Sequence, residues 1–169
     1  GDLYVEMAQK ADLSLLSLEI ESQAITRAVL PAGTTDTALV VNFSPEKVGL
    51  YVSHARVVRF TSTISTKGEY SNNPAFLMQE IKKLYTYWHT LKENVDKPER
   101  RISHVYICGE GFDEAMGSFI GSHSQTPTSL ANVWVNAFDI NLTIPEIPFN
   151  ESIKYAGSVG LAMPSKIFI

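Results

Sequence analysis

The chain has 169 residues, of which 44% are apolar and 19% charged, and 14 Lys plus Arg against 18 Asp plus Glu leave a net charge of −4. This length suits about one domain that buries roughly 68–70% of the surface exposed on unfolding. The acidic balance gives no footprint for nucleic acid, since the strongest basic cluster, Lys97 to Arg101, is short and contains Glu99.

A single cysteine, Cys108, excludes an internal disulfide and a four-cysteine zinc site, which fits a reducing cytoplasm. No apolar run reaches the roughly 18 residues of a membrane span. The charged fraction lies below the roughly 25% usual for a soluble domain, which suggests surface covered by a partner or by another part of the protein. Gly1 in place of Met reads as a trimmed start, and no secretory leader follows it.

Leu3 to Ala11 has helical spacing, and Leu13 to Ile20 reads as a buried strand. Ser22 stands at a helix-cap position before Gln23 to Leu30, a short helix stopped by Pro31 and Gly33. Three strands then follow: Thr37 to Phe43, Val48 to Ser53 after a Pro45-Glu46 turn, and Arg56 to Ser65 after a His54-Ala55 turn. Short connections make them an antiparallel meander.

Leu77, Ile81, Leu84, Trp88, Leu91 and Val95 step by 4, 3, 4, 3 and 4, one stripe of a core-facing helix stopped at Lys97-Pro98. Ser103 to Cys108 is a short strand, and Gly109-Glu110-Gly111 turns it into a helix over about Phe112 to Ser122. Val133 to Val135 is expected as a further strand, and Ser152 to Met163 as a last helix. Its Ala156, Gly157, Gly160 and Ala162 would allow close packing. The whole is mixed α/β, one sheet with helices on its faces.

Two places could hold chemistry. In the Asn42-Phe43-Ser44-Pro45 hairpin, backbone N–H groups could face a phosphate. However, a Mg²⁺-dependent version wants a carboxylate where Asn42 stands, and Pro45 has no N–H. The Gly109-Glu110-Gly111 turn could let a ligand press against a helix N-terminus. Its alternative is a plain tight turn, because Glu114 replaces the third glycine of a dinucleotide pattern. Cys108 reads as a small buried hydrophobe. His54, His89, His104 and His123 lack ligand spacing, so no metal is expected. Asp139, Glu146 and Glu151 read as loop charge. The glycosylation patterns at Asn42, Asn141 and Asn150 carry no weight without a secretory leader.

The order of these motifs resembles PilM-like proteins, the actin-like components of type IV pilus machines. Leu18 to Ala28 is similar to the strand–helix passage before that family's second phosphate motif. The meander Leu39 to Thr63, with Arg59-Phe60-Thr61-Ser62-Thr63-Ile64, resembles its phosphate hairpin and the strand that follows. Met78 to Trp88 and Ile102 to Gly111 resemble its adenosine-side helix, strand and Gly-Gly turn. Tyr155 to Ala162 resembles its C-terminal helix.

The resemblance implies an actin-like, ribonuclease H-like lobe over residues 1–169, the second half of a two-lobed protein whose first phosphate loop lies outside this chain. It places vestigial nucleotide positions at Asn42, Ser44, Gly109, Glu110 and Gly111. The family's Asp-x-Gly is here Asn42-Phe43-Ser44, its Gly pair after the third strand is Lys67-Gly68-Glu69, and an inserted subdomain is reduced to Gly68 to Pro74. The implied protein is a cytoplasmic scaffold without a cofactor or catalytic residues. It would attach to the inner membrane through a pilus-assembly partner, with self-association also implied. The alternative is an ATP- and Mg-binding enzyme of the superfamily or an FtsA-like cell-division filament protein.

Overall fold

The computed structural model describes residues 2–67, 73–139, 141 and 144–164. The expected loop Lys67-Gly68-Glu69, the reduced insertion Gly68 to Pro74 and the sequon at Asn141 therefore lie partly outside the described residues.

Helix α1 is Asp2–Lys10 and buries none of its residues. The expected strand at Leu13 to Ile20 does not form: the stretch is extended, unpaired and exposed apart from half-buried Glu19, and Leu16 is 93% exposed. Among the described residues it pairs with no strand, although Leu18 to Ile20 border a cavity shared with Val58 to Thr61, and its apolar run stays in solvent. Helix α2 is Glu21–Val29 and begins two residues earlier than the serine signal suggests. Ile20 occupies the cap, Ser22 is buried in the first turn, and Glu21 lies where an acidic residue favours the helix dipole.

The sheet holds β1 (Thr37–Phe43), β2 (Lys47–His54), β3 (Val57–Ser65), β4 (Ile102–Cys108) and β5 (Thr128–Leu130) in the order β3-β2-β1-β4-β5. The first three form the expected antiparallel meander, while β4 runs parallel to β1 and β5 parallel to β4. β1 lies at the centre, and all seven of its residues are buried. Its near-continuous apolar run is what a strand covered on both faces requires.

Val133 to Val135, expected as a strand, is a turn. Asn132 Oδ1 accepts from Trp134 N–H at 3.0 Å and curls the chain away from the sheet. Pairing moves upstream to β5 and ends where Ala131 N–H donates to Ile107 O.

Helix α3 (Pro74–Thr90) and helix α4 (Glu114–His123) cover one face. Leu77, Ile81, Leu84, Trp88 and Ile120 meet Leu39, Val41, Leu50 and Val52 there. Asn73 caps α3 by accepting from Ala75 and Phe76 N–H, with Pro74 in the first turn. The helix ends at Thr90 rather than at Lys97-Pro98. Leu91 is extended, Asn94 Nδ2 donates to Trp88 O, and Val95 is left in solvent. Trp88 Nε1–H donates to Arg100 O at 2.6 Å and fastens this end of α3 to the start of β4.

The opposite face is covered by α2 and a broken C-terminal helix. That helix comprises α5 (Phe149–Ser152), a 3₁₀ turn (Ile153–Tyr155) and α6 (Ala156–Ala162), where a single helix from Ser152 to Met163 is expected. Ile25, Ala28, Val29, Ile153 and Ala156 pack there on Ala38, Val40 and Tyr51. α2 and α6 touch along small residues: a Cβ on Gly160 would lie 1.9 Å from Ala24 O, so only glycine permits this approach. Arg27 Nε and Nη2 donate to Gly160 O, and its guanidinium pairs with Glu19. The C-terminal carbonyls of α2 are taken by Asn136 Nδ2, which donates to Arg27, Ala28 and Leu30 O, and by Arg56, which donates to Arg27 O.

Candidate functional site

The parallel β1–β4 register sets Asn42 beside Cys108, so the hairpin and the Gly109–Gly111 turn meet at one end of the sheet. The five residues singled out in the sequence therefore stand together. Within the hairpin, Ser44 N–H donates to Lys47 O at 2.9 Å, and Ser44 Oγ donates to the same carbonyl.

The glycine turn is pressed onto the β1 terminus. Gly111 N–H donates to Phe43 O at 3.2 Å, and Gly109 N–H donates to Ile153 O at 3.0 Å. Gly109 has φ +108°, and a Cβ there would stand 2.0 Å from Phe43 O. A Cβ on Gly111 would stand 2.8 Å from Ser44 O. Both glycines are thus explained by close approach of two backbones, with the αL-side φ of Gly109 adding a second requirement.

Asn42 is 5% exposed. Its Oδ1 accepts from Cys108 Sγ at 3.6 Å, and its Nδ2 donates to Tyr51 Oη at 3.5 Å. It faces the α2 side of the sheet, within the core. Cys108 is fully buried, and burial, followed by the charge of Glu21, pushes its thiol up to about 12. It therefore stays protonated at neutral pH and is no nucleophile. Burial likewise raises the Tyr51 hydroxyl.

The α4 N-terminus adjoins this turn. Asp113, which the sequence reading missed, caps it by accepting from Met116 N–H at 2.9 Å, and Glu114 follows in the first turn. An aspartate three residues before that amide is the usual cap signal and could have found it. Beside the turn lies a cavity of about 320 Å³ lined by Glu110, Glu114, Asn150, Glu151 and Lys154. Lys154 is ion-paired with Glu151, so the lining carries more negative than positive charge. A second cavity of about 150 Å³ lies under the hairpin tip, between Ser44, Pro45, Asn73 and Asp113.

The histidines stay apart. Thr37 Oγ1 donates to Glu99 O and lies 2.9 Å from His54 Nδ1, while His89 Nε2 accepts from Ile102 N–H at 3.1 Å. Burial lowers the pKa of His54, His89 and His104; nearby arginines, chiefly Arg100 for His54 and Arg101 for His89, add to it. Among the described residues, no group of His, Cys, Asp and Glu could hold a metal ion, and no helix is long and apolar enough to cross a membrane.

No protein-family model and no curated protein sequence matches the chain. Solved structures do match. The PilM–PilN type IV pilus biogenesis complex superposes with a TM-score of 0.68 at 15% identity, over 94% of this chain and 55% of that one. The ethanolamine utilization protein EutJ from Carboxydothermus hydrogenoformans gives 0.48 at 13% identity, over 90% of this chain and 56% of that one. The chain spans little more than half the length of either. The fold is that of a PilM-like, actin-like protein, as the sequence motifs imply.

Proposed function

We propose that this chain is the second lobe of a two-lobed actin-like scaffold in a type IV pilus or related machine. Its role is to hold the cytoplasmic part of an inner-membrane protein and not to turn over nucleotide. The likeness to PilM in its complex with PilN supports the pilus assignment and suggests a PilN-like partner. The exposed apolar side chains among residues 3–20 support a surface covered by another lobe or by a partner, because large exposed apolar patches mark interaction sites.

The observation that carries the non-catalytic reading is the state of Asn42. The position where a metal-dependent phosphate hairpin needs a carboxylate holds a neutral amide, buried and bonded to Cys108 and Tyr51. The neighbouring groups oppose an anion as well. Asp113 occupies the α4 N-terminus, where a phosphate would otherwise sit. Glu110, Glu114 and Glu151 line the adjoining cavity. Mg-ATP does not fit this residue set.

The test is a binding titration of the chain with a peptide covering the cytoplasmic segment of the PilN-like protein from the same organism. Saturable binding, unchanged by added Mg-ATP, is expected. Absence of binding, or binding that requires ATP, would overturn the reading.

A further inference from the structure

Strand β3 borders the sheet, and its register fixes what it offers there. Thr66 N–H donates to Glu46 O at 3.0 Å, and the pairing continues Val48 with Ile64, Leu50 with Ser62 and Val52 with Phe60. In an antiparallel ladder, successive residues point their backbone groups alternately toward and away from the neighbour. Phe60, Ser62 and Ile64 therefore bond β2. The N–H and C=O groups of Thr61 and Thr63 point outward, and among the described residues nothing takes them.

Native sheets blunt such edges with charge, proline or a bulge. Here the charge and the bulge are confined to the start of the strand, and Leu18, Glu19 and Ile20 border a cavity beside it as far as Thr61. A register shift falls between Val52 and Ser53, Arg59 carries a charge, and Gln23 Oε1 takes Val58 N–H. From Phe60 to Ser65 the strand has no charge, no proline and no bulge.

This stretch is also close to palindromic: Phe60-Thr61-Ser62-Thr63-Ile64 runs apolar, Thr, Ser, Thr, apolar. A two-fold axis at Ser62 sets Thr61 opposite Thr63 of a second copy, twice, with outward groups meeting outward groups. The same axis sets Phe60 opposite Ile64, also twice, on the α3 side, where both already pack on the core. Thr–Thr and aromatic–β-branched pairs favour antiparallel association. Arg59 meets Ser65, so no like charges face each other. Moving the axis to Thr61 would set Phe60 against Ser62 and lose both apolar pairs. An open groove of about 600 Å³ beside Phe60, lined by Tyr87, Trp88 and Leu91, leaves room for the incoming side chain.

We propose that Phe60–Ser65 is a self-complementary edge through which two copies of this chain join their sheets, β3 to β3, in an isologous dimer. The proposal rests on the fold and the strand register, so it stands or falls independently of the partner titration above.

Cysteine cross-linking on the full chain tests it. Facing Cα atoms in a wide antiparallel pair stand about 4.5 Å apart, within the roughly 4.4–6.8 Å that a disulfide spans. Ser62→Cys should give a covalent dimer under mild oxidation. Thr63→Cys, which lies diagonally from its own copy, should not. Buried Cys108 does not compete. Thr63→Pro removes an outward N–H and no β2 bond, and should weaken the dimer in sedimentation equilibrium by roughly tenfold or more. Its circular dichroism is compared with the parent, and if it unfolds the cysteine pair decides. A chain monomeric at every concentration, equal cross-linking of Ser62→Cys and Thr63→Cys, or an edge taken by a different protein while the chain stays monomeric would each overturn the proposal.

Discussion

Two stretches of this chain look alike in sequence and end in opposite places. Thr37–Phe43 and residues 13–20 are both short, largely apolar runs that suit a strand. The first is paired with β2 and β4 and fully buried, whereas the second joins no ladder among the described residues and leaves Leu13, Leu16, Leu18 and Ile20 in solvent. The difference lies in the neighbours. A strand's backbone groups are satisfied only across a ladder, so apolar character alone does not place a run inside a sheet. What holds residues 13–20 near the domain is polar: Glu19 grips Arg27, which also binds Gly160 O and so ties this passage to the α2–α6 contact.

Substitutions can break this comparison. The largest loss is expected for Leu39→Ala in β1, about 2–5 kcal/mol, as a buried leucine leaves a cavity. Urea unfolding measures it. Gly160→Ala comes next, roughly 1–3 kcal/mol, because the added methyl meets Ala24 O and forces α2 and α6 apart. A smaller effect is expected from pH. Burial lowers the folded-state pKa of His54, His89 and His104, so below about 6.5 the unfolded chain binds more protons. Stability should therefore be lost as pH falls from about 6.5 through the lowered values, and melting at pH 7.5 and pH 5.5 should show the lower Tm at pH 5.5. His89 contributes most directly, because a proton on Nε2 removes the acceptor for Ile102 N–H. The smallest effect is expected for Leu16→Ala, within about 0.5 kcal/mol by the same urea assay. A loss for Leu16→Ala comparable to that for Leu39→Ala would show that residues 13–20 are packed after all.

Much of the fold was legible because it rests on local signals. The β1–β3 meander carried alternation and turn residues, and α3 carried a clean stripe with Pro74 at its start. The candidate site was legible by address: Asn42, Ser44 and Gly109 to Gly111 do meet. Their use was less so, since the contacts that bury Asn42 come from Tyr51 and Cys108, nine and 66 residues away in sequence. Three misreadings share a cause. The α3 stripe continued to Val95, but Asn94 and Leu91 turned the chain first. Val133 is buried, as a strand residue would be, yet Asn132 had already left the ladder. The run at residues 13–20 had the residues of a strand and joined no ladder among the described residues. In each case a side-chain bond or a missing partner decided against the periodicity.

The central claim, that the proposed actin-like lobe acts without Mg-ATP, is tested most directly by a thermal-shift titration with Mg-ATP of the full-length protein that carries both proposed lobes. Ligand at 100 times its Kd stabilises a protein by about 2.7 kcal/mol. For a lobe of this size that amounts to roughly 2–4 °C in Tm. The account predicts no saturable shift at millimolar Mg-ATP. A saturable, Mg-dependent rise of that size would contradict it.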